Sequence, residues 1–408
     1  MPLENVIIIG GGMGGLCLAQ RLKQLSIPFT LYERDESLTS RAVGSCLGIQ
    51  ETAPDNLKLA LPPHLHPDLE AIWPRDPLGK SFDFASAKTG QTIARNKFLP
   101  NGMYITSRAQ LRRVLSTDLP IQYGKKFESY TLIENDTKVQ VKFADGTTAT
   151  GDILIGADGS NSTIRSLLLP NITPIEAGFT TIAATTHISF TLRDQIWGTN
   201  SDLTRAALLI GHSGTCMYIS WWNEGPDADV PSPDGTVKIC WRLDYSGSSP
   251  PASLTDRKVM LEWARQQARE QVHQRFWPLV DETKEEDMWV GKKVKSMPDY
   301  EAWKTGRVTL LGDAAHCMTS YGGRGALQAF EDAIHLSSLL QEYHTSSNAT
   351  PQLLSTKIAA YEKDMLERGF KSVHTSLRNT HLMHPDTKFG EWGRNLLMST
   401  MGFFMGKR

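Results

Sequence analysis

Four apolar β-branched residues, Val6 to Ile9, run without interruption into Gly10, Gly11 and Gly12. Beyond Gly15 the apolar positions return at helical spacing through Leu16, Ala19, Leu22 and Leu25. A short apolar run followed by a 3.6-residue period predicts a buried strand, a tight turn and a helix. A second β-like run, "PFTLYER", ends near Glu33. From there to about Pro100 the chain is rich in Pro, Asp and Gly without a steady period, which predicts excursions from the first domain. "MYITSRAQLRRVL" predicts a short strand and then a helix beginning near Arg108, with Leu111 and Leu115 on one face. Alternation between Lys125 and Ala149 around Asp145-Gly146 predicts a β-hairpin. "GDILIGADGSNSTIRSLL" then repeats the order of strand, glycine turn and helix.

Between Ile172 and Pro298 the pattern changes to longer β-like runs, "TTIAATTHISF", "AALLIGHSGTCMYISWWN" and "TVKICWRLDYS", which predict one antiparallel sheet. A helix is expected from Asp256 to about Phe276, with Met260, Ala264, Ala268 and Val272 on its buried face. "RVTLLGDAAHCMTSYGGRGALQAFEDAIHLSSLL" returns to strand, Gly-Asp turn, glycine loop and helix, and 351–382 predicts a further amphipathic helix. The fold class is therefore α/β. A discontinuous Rossmann-like domain takes 1–171 and 299–345, an antiparallel-sheet domain takes 172–298, and a C-terminal helical segment takes 346–408.

Composition narrows the partners. The 408 residues carry 43 Lys plus Arg against 44 Asp plus Glu, a net charge of −1. That balance offers no footprint for nucleic acid or for an anionic membrane surface. The cysteines Cys17, Cys46, Cys216, Cys240 and Cys317 are widely spaced with no CxxC pair, which predicts neither a disulfide framework nor a metal site and fits a reducing, cytoplasmic setting. No run has the length of a membrane span, and the N-terminal run does not have the form of a signal peptide.

The chemistry lies in the glycine turns. Gly10-x-Gly12-x-x-Gly15 between strand and helix is the dinucleotide fingerprint in its required context. Gly10 allows the turn, Gly12 admits a pyrophosphate, Gly15 lets helix meet strand, and the helix N-terminus faces the anion. Glu33, followed by Arg34, stands where a carboxylate can accept from an adenosine ribose. Asp313, after an apolar strand, can accept from ligand hydroxyls. Gly322, Gly323 and Gly325 then leave N–H groups bare before a helix that starts near Ala326.

These motifs, in this order and over nearly the whole chain, resemble the FAD-dependent monooxygenases of the aromatic-hydroxylase type, such as para-hydroxybenzoate hydroxylase and the tetracycline-inactivating monooxygenases. The resemblance implies that 1–171 with 299–345 binds FAD and that 172–298 binds substrate. It implies that Gly10, Gly12, Gly15, Glu33 and Arg34 hold the FAD pyrophosphate and ribose. Asp158 of the Asp158-Gly159 turn would touch the flavin and nicotinamide regions, and Asp313 of "GDAAH" the ribityl chain, with Gly325 and Ala326 at the flavin. Arg108 matches the family's arginine near the phosphates, while Arg41, Gly44 and Gly48 match its cofactor-covering loop more loosely. One departure stands out: family members carry proline soon after the GDAAH histidine, where this chain reads Cys317-Met318-Thr319-Ser320. Cys317 reads as a small apolar residue rather than a nucleophile.

The expected activity is insertion of one oxygen atom into a small aromatic or polycyclic natural-product-like molecule, by hydroxylation or epoxidation, with NADPH or NADH as reductant. His187, Arg205, Tyr218, Trp221, Trp222 and Trp241 are candidates for the substrate wall. No acid or base is assignable to the reaction. A non-oxygenating flavoenzyme (oxidase, reductase or cyclase) and a flavin-binding module without turnover are the alternatives.

Overall fold

The structure, a computed structural model, describes residues 2–40, 46–50, 52–73, 82–96, 103–198, 203–212, 214–222, 235–247, 251–303, 306–385 and 387–405. Val6–Ile9 forms the centre of a five-stranded sheet, with Ile153–Gly156 and then Val308–Leu310 on one side, and Phe29–Tyr32 and then Ile121–Gln122 on the other. All four pairings are parallel. The central strand is buried along its whole length, as a parallel strand covered on both faces must be. Helix Met13–Gln24 packs on helix Gly325–His344, so the first and last glycine turns share one core. The long helix Pro351–Met383 joins that core through Leu354, Ile358, Tyr361 and Met365. Thr350 caps it by accepting from the Leu353 N–H, and Pro351 takes the first turn, where no N–H partner is needed.

Beside the parallel sheet lies a three-stranded antiparallel meander, Phe127–Ile133, Lys138–Phe143 and Thr148–Gly151. Its Asp145-Gly146 turn has Gly146 at φ +83°, and the Asp145 carboxylate accepts from the Thr147 N–H.

The second sheet has seven strands in the order Met288–Ser296, Ile175–Ser189, Thr236–Tyr245, Thr215–Trp222, Ala206–Ile210, Phe82–Ser86, Thr92–Asn96. It is antiparallel except where Ala206–Ile210 meets Phe82–Ser86. Two corrections to the sequence reading arise here. "AALLIGHSGTCMYISWWN" is two strands joined by a tight turn, because Gly214 takes φ +69° and the Thr215 N–H donates to the His212 carbonyl. Residues 82–96, expected as an excursion of the first domain, belong to the second sheet, with Ala85 and Ala87 in its core. Asp83 explains why that strand reads as a loop in sequence. It is fully buried, and its carboxylate is held by Arg95 Nε at 2.8 Å from the neighbouring strand and by the Thr204 N–H at 2.7 Å, the latter distant in the chain.

One face of this sheet carries Ile219, Trp221, Ile239, Trp241 and Leu243 against helix Arg257–Gln271. The alternate residues, Cys216, Tyr218, Ser220 and Trp222 with Cys240, Arg242 and Asp244, face the other way. On that side lie the two-stranded antiparallel sheet of Cys46–Gln50 with Met103–Ser107 and the C-terminal end of the long helix.

Candidate functional site

Three adjacent parallel strands end at the same level. Ile9 is paired with Gly156, and Gly156 with Leu310, so Gly10, Ala157 and Leu311 leave the sheet side by side. The carboxyl ends of parallel strands are where an open α/β sheet offers room for a ligand. At Gly10, φ is +116° and a Cβ would lie 2.3 Å from the Ala157 carbonyl oxygen. A Cβ on Gly15 would lie 2.1 Å from the Gly10 carbonyl oxygen. Gly12 is the opposite case: nothing stands within 4 Å of where its Cβ would be. The first turn of helix Met13–Gln24 has no acidic residue and no side-chain cap, so its N–H groups face that open space. This is a cradle for an anion.

Glu33 is buried and braces the cradle. Its Oε2 accepts from the Gly11 N–H at 2.6 Å and its Oε1 from the Asp35 N–H at 3.0 Å. The sequence reading missed Arg112, one helical turn beyond Arg108. Its Nε donates to the Gly11 carbonyl at 2.9 Å, and its Nη2 lies 3.9 Å from Glu33 and 3.8 Å from Asp35. Arg108 begins helix Arg108–Ser116 as expected, yet its side chain is exposed, as is that of Arg34. The periodicity that places Leu111 and Leu115 inside also turns Arg112 inward, and that was the available signal.

The Asp158-Gly159 turn follows the second strand. Asp158 Oδ2 accepts from the Thr163 and Ile164 N–H groups, while its Oδ1 is buried with no hydrogen-bond partner among the described residues. Arg165, also buried, donates to the Ser160 carbonyl at 2.8 Å and to the Ala314 carbonyl at 2.9 Å. One guanidinium thus ties the second glycine turn to the third.

At the third turn Gly312 has φ +62°, its N–H donates to Asp332, and Asp313 is exposed beside Gly325. His316 and Asp332 are fully buried and meet at 2.7 Å. Burial alone would discharge the imidazole, but the adjacent Asp332 carboxylate outweighs it, and His316 titrates above its ordinary value. Arg368 completes the set with 3.2 Å to Asp332. Cys317 is buried and its thiol is pushed up to about 12 by that burial, in keeping with a packing role. Thr319 is buried against the long helix, bonded to Thr380 at 2.7 Å, while Ser320 is exposed. Gly325 and Ala326 open helix Gly325–His344, again with no side-chain cap. Gly48 lies in strand Cys46–Gln50, whose last residue Gln50 donates to the Gly323 carbonyl at 3.4 Å. Arg41 and Gly44 lie outside the described residues.

The wall facing these loops differs from the sequence expectation. Trp221 and Trp241 sit on the far face of the second sheet; Arg205 stacks there on Trp221 at 4.2 Å, and His187 is exposed. Period-two alternation separates them from Tyr218 and Trp222, which do face inward. Three residues not singled out from sequence complete the inner wall: Arg242, Tyr321 and His384. The Arg242 guanidinium lies 5.5 Å from the Tyr218 ring and 5.6 Å from the Tyr321 ring, and its Nε bonds Asp244 at 3.0 Å. Tyr321 Oη lies 2.8 Å from Asp244 Oδ2 and 2.6 Å from His384 Nε2, while His384 Nδ1 bonds the Gly214 carbonyl at 2.6 Å. Burial holds the His384 imidazole below its ordinary value, hence neutral. Since a carbonyl can only accept, Nδ1 carries the proton and Nε2 is left as an acceptor.

Among the described residues no cluster of His, Cys, Asp and Glu could hold a metal, and no helix is long and apolar enough to cross a membrane.

A family model described as "FAD binding domain" matches residues 86–373, and one described as "NAD(P)-binding Rossmann-like domain" matches residues 8–71. The FAD-dependent monooxygenase thnD of Trichoderma harzianum is 30% identical over 393 residues, covering 91% of this chain and 92% of that protein. Klebsiella pneumoniae HpxO complexed with FAD and uric acid superposes with a TM-score of 0.76 at 19% identity, covering 97% of this chain and 92% of that one. A salicylate hydroxylase substrate complex gives 0.71 at 22% identity, covering 99% and 95%. At those identities the two solved structures speak for the fold.

Proposed function

The chain belongs to the FAD-dependent monooxygenases of the aromatic-hydroxylase type, and from that premise we propose that it uses NADPH or NADH and molecular oxygen to hydroxylate or epoxidise a small aromatic or polycyclic molecule. The observation that carries this reading is the convergence of three glycine turns at one level of the parallel sheet, opposite an aromatic wall with a half-buried cation. FAD, when bound, supplies hydride acceptance and oxygen activation. The donor set fits it. The open Gly12 and the first turn of helix Met13–Gln24 suit a pyrophosphate, with Gly10 and Gly15 shaping the turn and Glu33 and Arg34 toward the ribose. Arg108 and Gly48 flank the cofactor. The orphaned Asp158 Oδ1 and the exposed Asp313 carboxylate are acceptors for hydroxyl groups, and Gly325 and Ala326 direct N–H groups at a ring system that gains charge. In this assignment the parallel-sheet unit binds FAD and the seven-stranded sheet binds substrate.

The inner wall then handles a proton. Tyr321 has one hydroxyl proton for two acceptors, Asp244 Oδ2 and His384 Nε2, so its oxygen can take a proton from a phenolic substrate as its own passes to Nε2. Arg242 stabilises the resulting oxyanion, and Tyr218 and Trp222 cover the ring.

Ligand-stimulated NAD(P)H oxidation, with mass spectrometry of products, tests the reading. Flavin-loaded enzyme should consume NAD(P)H faster with a phenolic ligand and return that ligand with one added oxygen. Conversion without NAD(P)H would instead favour an oxidase or cyclase, and FAD binding without nicotinamide oxidation by any ligand a binding module. Tyr321→Phe should lower kcat by about 10²-fold and flatten its pH profile, with KM little changed.

A further inference from the structure

Strand Cys46–Gln50 runs between the third glycine turn and the second sheet. Gln50 touches the Gly323 carbonyl at one end, and at the other the Cys46 thiol reaches across to the second sheet, 3.0 Å from Ser220 Oγ and 3.4 Å from Tyr218 Oη. Ser220 is the residue paired across the sheet with Cys240, and the two cysteines pack in one cluster with Trp222. They come from different sheets and are 194 positions apart in the chain. The other three cysteines are buried, and Cys46 is the one thiol that is only partly so.

We propose that Cys46 and Cys240 form a peroxide-responsive pair, in which Cys46 is the attacking thiol and Cys240 the resolving one. The adjacent Cys240 thiol and the hydrogen bonds with Ser220 and Tyr218, with Arg242 nearby, lower the Cys46 thiol below its ordinary value against the opposing effect of burial, whereas Cys240 is raised. That asymmetry matches the two roles. The Cys46 thiolate attacks one oxygen of hydrogen peroxide, forming an S–O bond and breaking the O–O bond. The departing hydroxide takes a proton to leave as water, and Cys46 is oxidised to the sulfenic acid. The Cys240 thiol then attacks that sulfur and gives up its proton. A second water departs, and the disulfide forms with two electrons passed in all from sulfur to peroxide. The reactant is at hand on the monooxygenase reading, since reduced flavin and oxygen release hydrogen peroxide whenever substrate is not oxygenated. The source would lie near Gly323, which Gln50 touches about 13 Å along the strand from Cys46. The link would staple strand Cys46–Gln50 to the inner wall beside Tyr218.

Added hydrogen peroxide tests the pair on the resting holoenzyme without turnover, so its failure is distinguishable from failure of the monooxygenase reading. Non-reducing peptide mapping should find a Cys46–Cys240 cross-linked peptide, removed by dithiothreitol. In Cys240→Ser a sulfenic-acid probe should label Cys46, and in Cys46→Ser peroxide should be consumed about tenfold more slowly with no label on Cys240. Oxidation confined to other cysteines, or peroxide consumption equal in wild type and Cys46→Ser, would overturn the proposal. Should Cys46→Ser fold poorly, the label in Cys240→Ser decides it alone.

Discussion

Arg112 and Glu362 are both buried charges, and they differ in what surrounds them. Arg112 has found its partners: one carbonyl of the fingerprint turn and two carboxylates that would otherwise face each other undiluted. Removing it takes this cation from beside Glu33 and Asp35 and its bond from the Gly11 carbonyl, so Arg112→Ala should weaken FAD binding ten- to hundredfold, roughly 1.5–3 kcal/mol for a charged hydrogen bond. Titration of deflavinated protein with FAD checks this, and retention equal to wild type would mean the brace is dispensable. Among the described residues neither Glu362 oxygen has a hydrogen-bond partner, and burial pushes its carboxyl up to about 8. A raised value in the folded state means that the folded chain holds the proton more tightly than the unfolded one. The contribution is therefore fully present below the unfolded value of 4.5 and lost as pH rises to about 8. Glu362→Gln, which cannot ionise, should match wild type near pH 5 and exceed it by about a few kcal/mol above pH 8. Urea unfolding at both pH values measures the gap; a gap independent of pH would show that Glu362 does not titrate in this range.

At the scale of elements, stability of the third glycine turn rests on what packs beneath it. A Cβ on Gly369 of the long helix would lie 2.6 Å from the His316 ring. The ring cannot retreat, since Asp332 fixes it at 2.7 Å. Gly369→Ala should therefore cost about 1–3 kcal/mol in spite of alanine's better helix propensity, seen as a lower Tm and earlier flavin release on heating. Ser320 shows the reverse. It opens a single 3-10 turn at the surface, and Thr319 before it has φ −68° and ψ 158°, the extended conformation that a following proline requires. Ser320→Pro, restoring the family residue, should raise stability by about 0.4–1 kcal/mol through the unfolded state, measurable as an increased Tm with flavin content unchanged. A fall in Tm would show that the turn needs the serine N–H.

For the whole molecule, the second sheet is the informative part, because the chain contributes to it from both sides of the first unit. Strands Phe82–Ser86 and Thr92–Asn96 complete its edge, and Asp83 supplies the buried acceptor that the Thr204 N–H needs. A fragment of residues 172–298 alone lacks both strands. It should fail to give a cooperative unfolding transition by circular dichroism, although it contains most of the second core. A cooperative transition in that fragment would mean that the two edge strands are an addition rather than part of the unit.

Much of the fold is legible in the residues because its signals are local. Apolar runs ending in glycine, the return of helical period after Gly15, the Asp145-Gly146 turn and the helix starting at Arg108 each depend on neighbours within a few positions, and each appears where expected. The three glycine turns were legible for the same reason: backbone conformation and missing Cβ atoms are written into the residue type. What the residues could not state is which face a strand turns to which neighbour. Trp221 and Trp222 are consecutive and alike in sequence, yet one packs under helix Arg257–Gln271 and the other packs on the opposite face with Ile105 and Cys240. That choice was made by the register of Thr215–Trp222 on Thr236–Tyr245 and by the helices that cover one side. Arg242, Tyr321 and His384 come from three separate regions, and Arg165 reaches a carbonyl 149 residues away. Such contacts exist only once the parallel strands are level and the long helix has closed over the loop, so tertiary structure alone decided them.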